Sequence, residues 1–379
     1  MKSSSASEKK DKILVYLIGS LGDTIVTIPA MRSVRRHFPD AEIVILQNTQ
    51  AGGLVPASEV VPRDLFDRSL SYESDLKGAD KAIGYFRLLV KLWQERFDTV
   101  IYLAPSERPS ASVNRDKTFF RVCGITRLLG FHSFSKEELY PSEPSGHPAV
   151  TDHEAMRKLI RLERDGIEVS LASDLRTPFF RFSEDELKEV KDLLIPLKKD
   201  PDSPVMAIGP GSKTSANLWP VTNFIDLAGK VAATFDHEIV IVGGPAEAGI
   251  GDEIVKSLGF GINLAGRFSV RESAAFLSMC DLYLGVDSGT SHLAAAAGTR
   301  CFSIHHERDN PGQWFPLGAG HSVIYHRVEC AGCGLNECPV PGHPCMTGMT
   351  PEIVWCRLQT FVDKSAMSDE GWICKASEV

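Results

Sequence analysis

The residues best suited to chemistry lie in loops that combine glycine with a carboxylate, a hydroxyl group or a lysine. Asp23 ends the first of these loops, Gly19-Ser-Leu-Gly-Asp23, which follows the apolar run Ile13–Ile18. A carboxylate at this point can cap the helix that follows, or it can act as a general base toward a substrate hydroxyl. The spacing alone leaves both roles open.

A second loop, Gly209–Pro220, contains the residues expected of a phosphate site. Gly211 lets a ligand approach the backbone closely. The hydroxyls of Ser212 and Thr214 can donate hydrogen bonds, and Lys213 adds a positive charge. The alternative is a plain surface loop with a solvated lysine.

The third loop, Gly285–His292, leads into the alanine-rich segment that continues to Gly298. Backbone amides at such a helix start favour a diphosphate. Asp287 would repel a bare phosphate, so a sugar hydroxyl or a capping amide is its expected partner. His292 fits either a buried, hydrogen-bonded histidine or a ligand contact.

Four of the nine cysteines lie close together, as Cys330-x2-Cys333-x4-Cys338 followed by Cys345. An odd number of cysteines argues against a disulfide framework. A CxxC pair with two further sulfurs and His343 nearby is compatible with a structural zinc site. Free or redox-active thiols are the alternative.

The elements that must position these loops are predicted from apolar runs. Each glycine loop follows such a run and precedes a helical pattern, which is the start of a doubly wound α/β domain. Further strands are predicted at Ile43–Leu46, Thr99–Leu103, Ile239–Val242, Ile262–Leu264 and Leu282–Val286. The first loop lacks the G-x-G-x-x-G fingerprint, and the next strand ends in Leu46-Gln-Asn-Thr without a ribose-binding carboxylate, which weighs against a dehydrogenase.

The length of 379 residues predicts two domains. The expected division is 1–11 as a disordered N-terminus, 12–185 as the first domain, 186–203 as a linker region, 204–348 as the second domain, and 349–379 as a C-terminal helix and tail. Ser183 opens a capping box at the boundary. A helical pattern at about 82–96 mixes apolar and basic residues, and predicts core packing or membrane contact.

The overall charge and the hydropathy pattern exclude some classes of protein. A formal net charge of −8 is unlike a dedicated nucleic-acid binder. The N-terminus lacks the apolar core of a secretory signal, and no apolar run reaches the length of a bilayer span. We therefore expect a cytoplasmic protein, with peripheral contact at the cytoplasmic face of the inner membrane left open.

In order and spacing, the motifs together resemble glycosyltransferase family 9, the heptosyltransferases, from about Ile13 to Leu358. The matching segments are Ser20–Ala30 followed by Arg32 and Phe38-Pro39, then Phe97–Leu103, Arg115–Gly124, Gly209–Ser212 with Trp219-Pro220, and Asp287–Ala296.

The resemblance implies an α/β GT-B fold, with two facing doubly wound (Rossmann-like) domains and a central cleft. It implies inverting, metal-independent transfer of a sugar, with heptose from ADP-heptose as the inherited donor and a lipopolysaccharide-type or other glycan or glycolipid as acceptor. Asp23 would be the catalytic base. The expected donor-binding residues are Gly211, Ser212, Lys213, Thr214, Asn217, Asp287, Ser288, Gly289, Thr290 and His292. The expected acceptor-binding residues are Gly22, Arg108, Arg115 and Arg121. The arginines are expected on loops, where they could hold an anionic acceptor, and ordinary surface arginines are the alternative.

One position departs from the family pattern. Asn217 stands two residues before Trp219-Pro220, where the family commonly has a lysine, and Lys213 is expected to supply the charge instead. Two other functions remain: another GT-B-type enzyme such as a nucleotide-sugar epimerase, and a non-catalytic nucleotide-binding protein with a zinc site. Transfer needs no cofactor on this interpretation, and zinc at Cys330, Cys333, Cys338 and Cys345 would be structural.

Overall fold

The computed structural model describes residues 10–50, 55–198, 200–363 and 375–378. Contacts divide them into two compact units. Unit 1 comprises the described residues up to Phe134 together with Glu154–Asp174, and unit 2 comprises Ser135–His153 and the described residues from Leu175 onward. Most of the N-terminus predicted to be disordered, and most of the C-terminal tail, lie outside the described residues.

Unit 1 is built on a parallel five-stranded sheet in the order β3-β2-β1-β4-β5. The strands are β1 Lys12–Leu17, β2 Glu42–Thr49, β3 Arg68–Glu73, β4 Thr99–Tyr102 and β5 Arg127–Leu129. The helices are α1 Leu21–Ile25, α2 Ile28–His37, α3 Ala57–Val60, α4 Gly78–Glu95, α5 Ser110–Val122, α7 Glu154–Arg164 and α8 Leu171–Asp174. The strand order reverses between β1 and β4, and ligands bind at such a point in doubly wound sheets.

Unit 2 is built on a parallel seven-stranded sheet in the order β12-β11-β10-β9-β6-β7-β8. The strands are β6 Val205–Gly209, β7 Glu238–Ile241, β8 Ile262–Asn263, β9 Leu282–Val286, β10 Cys301–His305, β11 Ser322–Tyr325 and β12 Lys375–Glu378. The helices are α6 Lys136–Leu139, α9 Glu184–Leu194, α10 Val221–Phe235, α11 Ala248–Leu258, α12 Val270–Ser278, α13 Gly289–Ala297, α14 Pro344–Thr347 and α15 Pro351–Asp363. Here the order reverses between β6 and β9.

The central strands are buried because they are apolar on both faces, as expected of parallel strands covered by helices. All seven strand segments predicted from apolar runs, including the run before Gly209, are strands in the structure: β1, β2, β4 and β6 to β9. Thr27 and Pro29 mark a break between α1 and α2, so the first glycine loop is followed by a single short helical turn before the longer helix begins.

The units differ in extent from the predicted domains. Residues 135–153 and 175–185 go with unit 2 by contacts, whereas the sequence places them in the first domain. Two interactions give the reason for the first segment: Arg327 pairs with Glu143 at 2.9 Å, and the Asn310 amide donates to the Pro141 carbonyl at 2.7 Å. Helix α15 packs on α10 within unit 2. Contact of the C-terminal tail with the first domain stays a prediction.

In the described part of the chain, no helix is long and apolar enough to cross a membrane.

Candidate active site

Asp23 is fixed by the loop that precedes it. Ser20 is the N-cap of α1, and Asp23 is the third residue of that helix. The backbone amide and the hydroxyl of Ser20 donate to Asp23 Oδ2 at 2.7 and 2.9 Å. Asp23 is therefore the acidic member of a capping box rather than the N-cap itself, and its half-buried side chain keeps one carboxylate oxygen outside that pair of hydrogen bonds.

Gly19 is required for this arrangement. Its φ of +131° lies in the region that favours glycine, and a Cβ there would stand 2.4 Å from the Cβ of Asp23. Its amide donates to Asn48 Oδ1 at 3.1 Å. The glycine spacing thus lets the Asp23 side chain fold back over the end of β1, at the point where the strand order reverses.

A buried ion pair stands close to Asp23 in unit 1. Lys158 Nζ lies 3.1 Å from Glu154 Oε1, and both side chains are 1% exposed. Lys158 also donates to the Leu103 carbonyl at 2.8 Å, and Glu154 accepts from the Ser106 amide at 2.9 Å. Burial lowers the pKa of Lys158, while the charges of Glu154 and Asp23 act to raise it.

The sequence analysis missed this pair. The available signal was the Glu-Lys spacing of four residues within the helical pattern Glu154–Arg164, in which Arg157 and Arg161 are also buried. Because this helix holds the chain that leaves β4, it supports the carboxyl edge of the sheet where Asp23 lies. Four of its charged side chains, those of Glu154, Arg157, Lys158 and Arg161, are buried, whereas Glu163 and Arg164 are exposed.

The predicted acceptor-binding arginines are brought together only in part. Arg108 and Arg115 both pair with Asp116, at 2.8 and 2.9 Å, so one carboxylate is shared by two guanidinium groups. Arg121 lies two turns further along the same helix and is exposed. The sequence analysis placed all three on loops, which is wrong for Arg115 and Arg121, because Ser110–Val122 is helical.

A cavity of about 390 Å³ opens beside this arginine pair. Its walls are largely aromatic and come from the sheet and from α4 and α5. The lining residues are Tyr16, Leu46, Tyr72, Lys81, Tyr85, Leu88, Arg115, Asp116, Phe119 and Phe120. The hydroxyls of Tyr16 and Tyr72 lie 2.6 Å apart. Burial raises the pKa of Tyr72 to about 12, so both groups are neutral hydrogen-bonding groups near pH 7.

In unit 2, Asp287 occupies the end of β9 and is surrounded by polar side chains. His306 Nε2 lies 2.9 Å from Asp287 Oδ2, and the Asn217 amide donates to the same oxygen at 3.3 Å. His292 Nε2 lies 3.8 Å from Asp287 Oδ1. Burial acts to raise the pKa of Asp287, but the hydrogen bond with His306 and the neighbouring imidazoles outweigh it and hold the pKa below its ordinary value. Asp287 is therefore an anion near pH 7.

The tautomer of His306 follows from its other neighbour. The backbone amide of Arg308 donates to His306 Nδ1 at 3.2 Å, so that nitrogen is the acceptor and Nε2 carries the hydrogen that Asp287 receives. His305 lies beside it, and burial lowers the pKa of His305 to about 3. Neither histidine was predicted as a site residue from the sequence. Strand β10 was not predicted, so no strand end was expected at these two positions.

The loop between β6 and α10 presents the predicted phosphate-binding groups with different exposures. Lys213 is exposed, and within the described residues it forms no ion pair. Ser212 accepts a hydrogen bond from the Thr214 amide at 3.4 Å, so its hydroxyl hydrogen remains available to a ligand. Gly211 is buried beneath the side chain of Glu247, which a Cβ at that position would meet at 2.2 Å.

Helix α13 begins at the reversal point of the second sheet. Ser288 is its N-cap and accepts from the Ser291 amide at 3.4 Å. The amides of Gly289 and Thr290 make no hydrogen bond among the described residues. These two amides can therefore donate to an anion, whereas the Ser291 amide already donates to Ser288.

The four clustered cysteines line one small cavity of about 20 Å³, together with His343. Burial raises the pKa of the Cys345 thiol, with a further contribution from the other three cysteines. Within the ranges that the structure describes, no group of three or more histidine, cysteine or acidic residues is arranged to hold a metal ion. Zinc binding stays a prediction.

Comparison with known proteins decides the family. A family model described as glycosyltransferase family 9 (heptosyltransferase) matches residues 86–343. The chain belongs to glycosyltransferase family 9. It is therefore a glycosyltransferase, and Asp23, which lies outside the matched range, has to be judged from the geometry above.

Similar proteins cover nearly the whole chain. Lipooligosaccharide heptosyltransferase 2 of Campylobacter jejuni is 23% identical over 356 residues, which cover 90% of this chain and 96% of that relative. The structure of E. coli ADP-heptose LPS heptosyltransferase II is 18% identical, with a TM-score of 0.65, and covers 94% of this chain and 100% of that one.

A family 9 structure from Veillonella parvula is 19% identical, with a TM-score of 0.68, over 94% of this chain and 98% of that one. At these identities the two structures show a common fold. They confirm the predicted α/β class with two Rossmann-like units, as in GT-B heptosyltransferases.

Proposed function

We propose that this family 9 enzyme transfers heptose from ADP-heptose to a lipopolysaccharide-type or lipooligosaccharide-type acceptor, with inversion at the anomeric carbon. The observation that carries the proposal is Asp23, a carboxylate held by Ser20 at the reversal point of a doubly wound sheet. The donor sugar and the acceptor class come from the family and from the relatives' names.

Asp23 is the catalytic base in this proposal. The Ser20 hydrogen bonds use Oδ2, and the other carboxylate oxygen accepts the proton of the acceptor hydroxyl as that oxygen attacks the anomeric carbon. The nearby Lys158 ammonium, held by Glu154, donates to the Leu103 carbonyl and so fixes the chain that leaves β4 close to Asp23. Lys158 acts as a positioning residue.

The donor is bound by unit 2. The amides of Gly289 and Thr290, the hydroxyls of Ser212 and Thr214, and the Lys213 ammonium bind the diphosphate and stabilise its charge as it leaves. Asp287 contacts the donor sugar through Oδ1, because His306 and Asn217 bind its other oxygen. Asn217 contributes an amide where the family commonly has a lysine, so Lys213 supplies the cation.

The acceptor is bound by unit 1. Arg108 and Arg115 share a single carboxylate, which leaves one positive charge in excess beside the aromatic cavity. Arg115 and Lys81 both line that cavity, so an anionic sugar would meet two cations there. Gly22, in the Asp23 loop, lets the acceptor approach the base. Arg121 is further away and has a weaker claim to this role.

Transfer in this proposal needs no metal, and the protein acts from the cytoplasm. Zinc at Cys330, Cys333, Cys338 and Cys345 would be structural. The loop that carries the first cysteines is tied to the segment after His306, since the amides of Gly332 and Gly334 donate to the carbonyls of Glu307 and Arg308. A metal bound by these cysteines would therefore restrain the segment that follows His306, the residue in contact with Asp287.

The test is a transfer assay with purified protein, ADP-heptose and a heptose-deficient lipopolysaccharide core acceptor. Mass spectrometry should show addition of one heptose, and NMR should show the inverted anomer. Chelator in the assay should leave the rate unchanged. Consumption of the donor without an acceptor would instead favour an epimerase or a hydrolase, and binding without turnover would favour a nucleotide-binding protein.

A further inference from the structure

Helix α4 has apolar side chains on two opposite faces, and the core covers only one of them. Leu88 and Leu92 are buried against the sheet of unit 1. On the opposite side, Phe86 is 65% exposed, Trp93 is 61% exposed and Ile83 is 48% exposed. The side of an amphipathic helix that faces away from the core is normally polar, so large apolar side chains on the outer side of α4 indicate an interaction surface.

The exposed side chains form a continuous stripe. Ile83, Phe86 and Trp93 follow each other at intervals of three and seven residues, which places them along one side of a helix. Trp93 lies beside the end of α5, because a Cβ on Gly124 would stand 3.7 Å from its ring. Val122, two residues from that glycine, is 60% exposed and extends the apolar area.

The charges around this stripe are mostly positive, although the chain as a whole carries −8. The basic residues from position 77 to 96 are Lys77, Lys81, Arg87, Lys91 and Arg96, and the acidic ones are Asp80 and Glu95. Glu95 is already paired with Lys12 and Arg68. Arg87 and Lys91 are exposed and form no ion pair within the described part of the chain.

We infer that the outer stripe of α4, Ile83, Phe86 and Trp93 with Arg87 and Lys91 beside it, docks on a bilayer surface that contains anionic phospholipid. Phenylalanine and tryptophan suit the depth of the lipid headgroups, and the basic side chains meet the phosphates. A protein partner or a second copy of the chain would cover the apolar stripe but would leave the excess of positive charge unexplained. The docking does not depend on the proposed function.

The inner side of α4 lines the aromatic cavity of unit 1, so docking of this helix would also position the cavity. Lys81, Tyr85 and Leu88 of this helix line the aromatic cavity of unit 1. Docking through α4 would hold that cavity close to the lipid surface, where a glycolipid acceptor is concentrated. This step, unlike the docking, rests on the proposed function.

The test is flotation of the full-length protein with vesicles of phosphatidylcholine alone, or with added phosphatidylglycerol. We expect flotation with the anionic vesicles only, and its loss at high salt.

Phe86→Ser with Trp93→Ser should lower the bound fraction by about tenfold or more. Arg87→Gln with Lys91→Gln should lower it by a smaller factor. Leu193→Ser, an exposed leucine on α9 of unit 2, should leave it unchanged.

A second readout addresses the depth of Trp93 directly. Lipids brominated in the acyl chains should quench part of the tryptophan fluorescence of the wild type, and this part should disappear in Trp93→Phe.

The inference is overturned if the wild type does not float, if the double serine variant floats equally well, or if Trp93 is not quenched. A dimer in solution that the serine substitutions dissociate would also overturn it in favour of a second copy. Transfer to a soluble acceptor stays unchanged in these variants, so failure of docking is distinguishable from failure of the proposed function.

Discussion

Asp23 has a structural contact with Ser20 and a proposed chemical role, and the two can be separated by substitution. Asparagine in its place keeps an oxygen that accepts from Ser20, so the capping contact survives. The carboxylate that takes a proton is lost. The two roles that the spacing left open, helix cap and base, are therefore compatible: the capping box holds the carboxylate that we propose as the base.

We predict that Asp23→Asn folds normally and loses nearly all transfer, since general base catalysis contributes roughly a hundredfold or more. The melting temperature checks folding, and single-turnover rates check transfer. A variant that kept more than about a tenth of the wild-type rate would show that another group takes the proton.

His306 is expected to matter for the donor, because it holds Asp287 Oδ2 through Nε2. We predict that His306→Ala weakens donor binding by about tenfold, the equivalent of one lost hydrogen bond to a charged group. His306→Gln, which offers an amide hydrogen near the same position, should recover most of it. The measurement is the KM for the nucleotide sugar, with kcat followed separately. If the alanine and glutamine variants behave alike, the hydrogen bond is not what His306 contributes.

Among the elements, the turn between β1 and α1 depends most on a single glycine. A Cβ on Gly19 would overlap the Asp23 side chain. We predict that Gly19→Ala lowers both stability and transfer, because the carboxylate has to move. Gly166→Ala is the matched control: that glycine also has a positive φ, at +81°, but a Cβ there would meet nothing within 4 Å. It should cost stability through backbone strain alone and leave transfer intact. Equal loss of transfer in both variants would show that Gly19 has no specific role in positioning Asp23.

The strands show how far the sequence predicts the elements. Apolar runs identified β1, β2, β4 and β6 to β9, because most of these strands are buried on both faces. They did not identify β3, whose side chains alternate in exposure, or β5, which has three residues. β10 was missed because Ser303 and His305 interrupt its apolar pattern although both are buried. That omission hid the two histidines around Asp287.

The candidate site also contains residues that the sequence predicts and residues that it does not. The glycine loops with Asp23, Lys213 and Asp287 are local in sequence, and could be predicted from their residues. The groups around them come from distant elements: Glu154 and Lys158 from α7, and His306 from the end of β10. The four-residue spacing of Glu154 and Lys158 indicates a pair on one helix face, but only tertiary contacts place that pair beside Asp23 and His306 beside Asp287.

For the whole molecule, buried neutral histidines predict a loss of stability in acid. Burial lowers the pKa of His305 to about 3 and of His321 to about 4. The unfolded chain takes up these protons below its ordinary pKa of about 6.5, whereas the folded protein does not, so stability is complete above that pH and falls as the pH drops toward 4.

We therefore predict that His321→Gln flattens this dependence by about 1.4 kcal/mol per pH unit between about pH 6 and pH 4.5. Urea unfolding at several pH values measures it, with the wild type as reference. An unchanged slope would mean that His321 is protonated in the folded protein.

The measurement that bears most directly on the central claim, a donor site for ADP-heptose in a family 9 enzyme, is calorimetric titration of the protein with ADP, UDP, GDP and CDP. We predict selective binding of ADP. We also predict that Lys213→Ala weakens this binding, because we propose that Lys213 supplies the positive charge in place of a lysine at position 217. Selective binding of another diphosphate would contradict heptose from ADP-heptose as the donor, and binding of none would contradict the donor site itself.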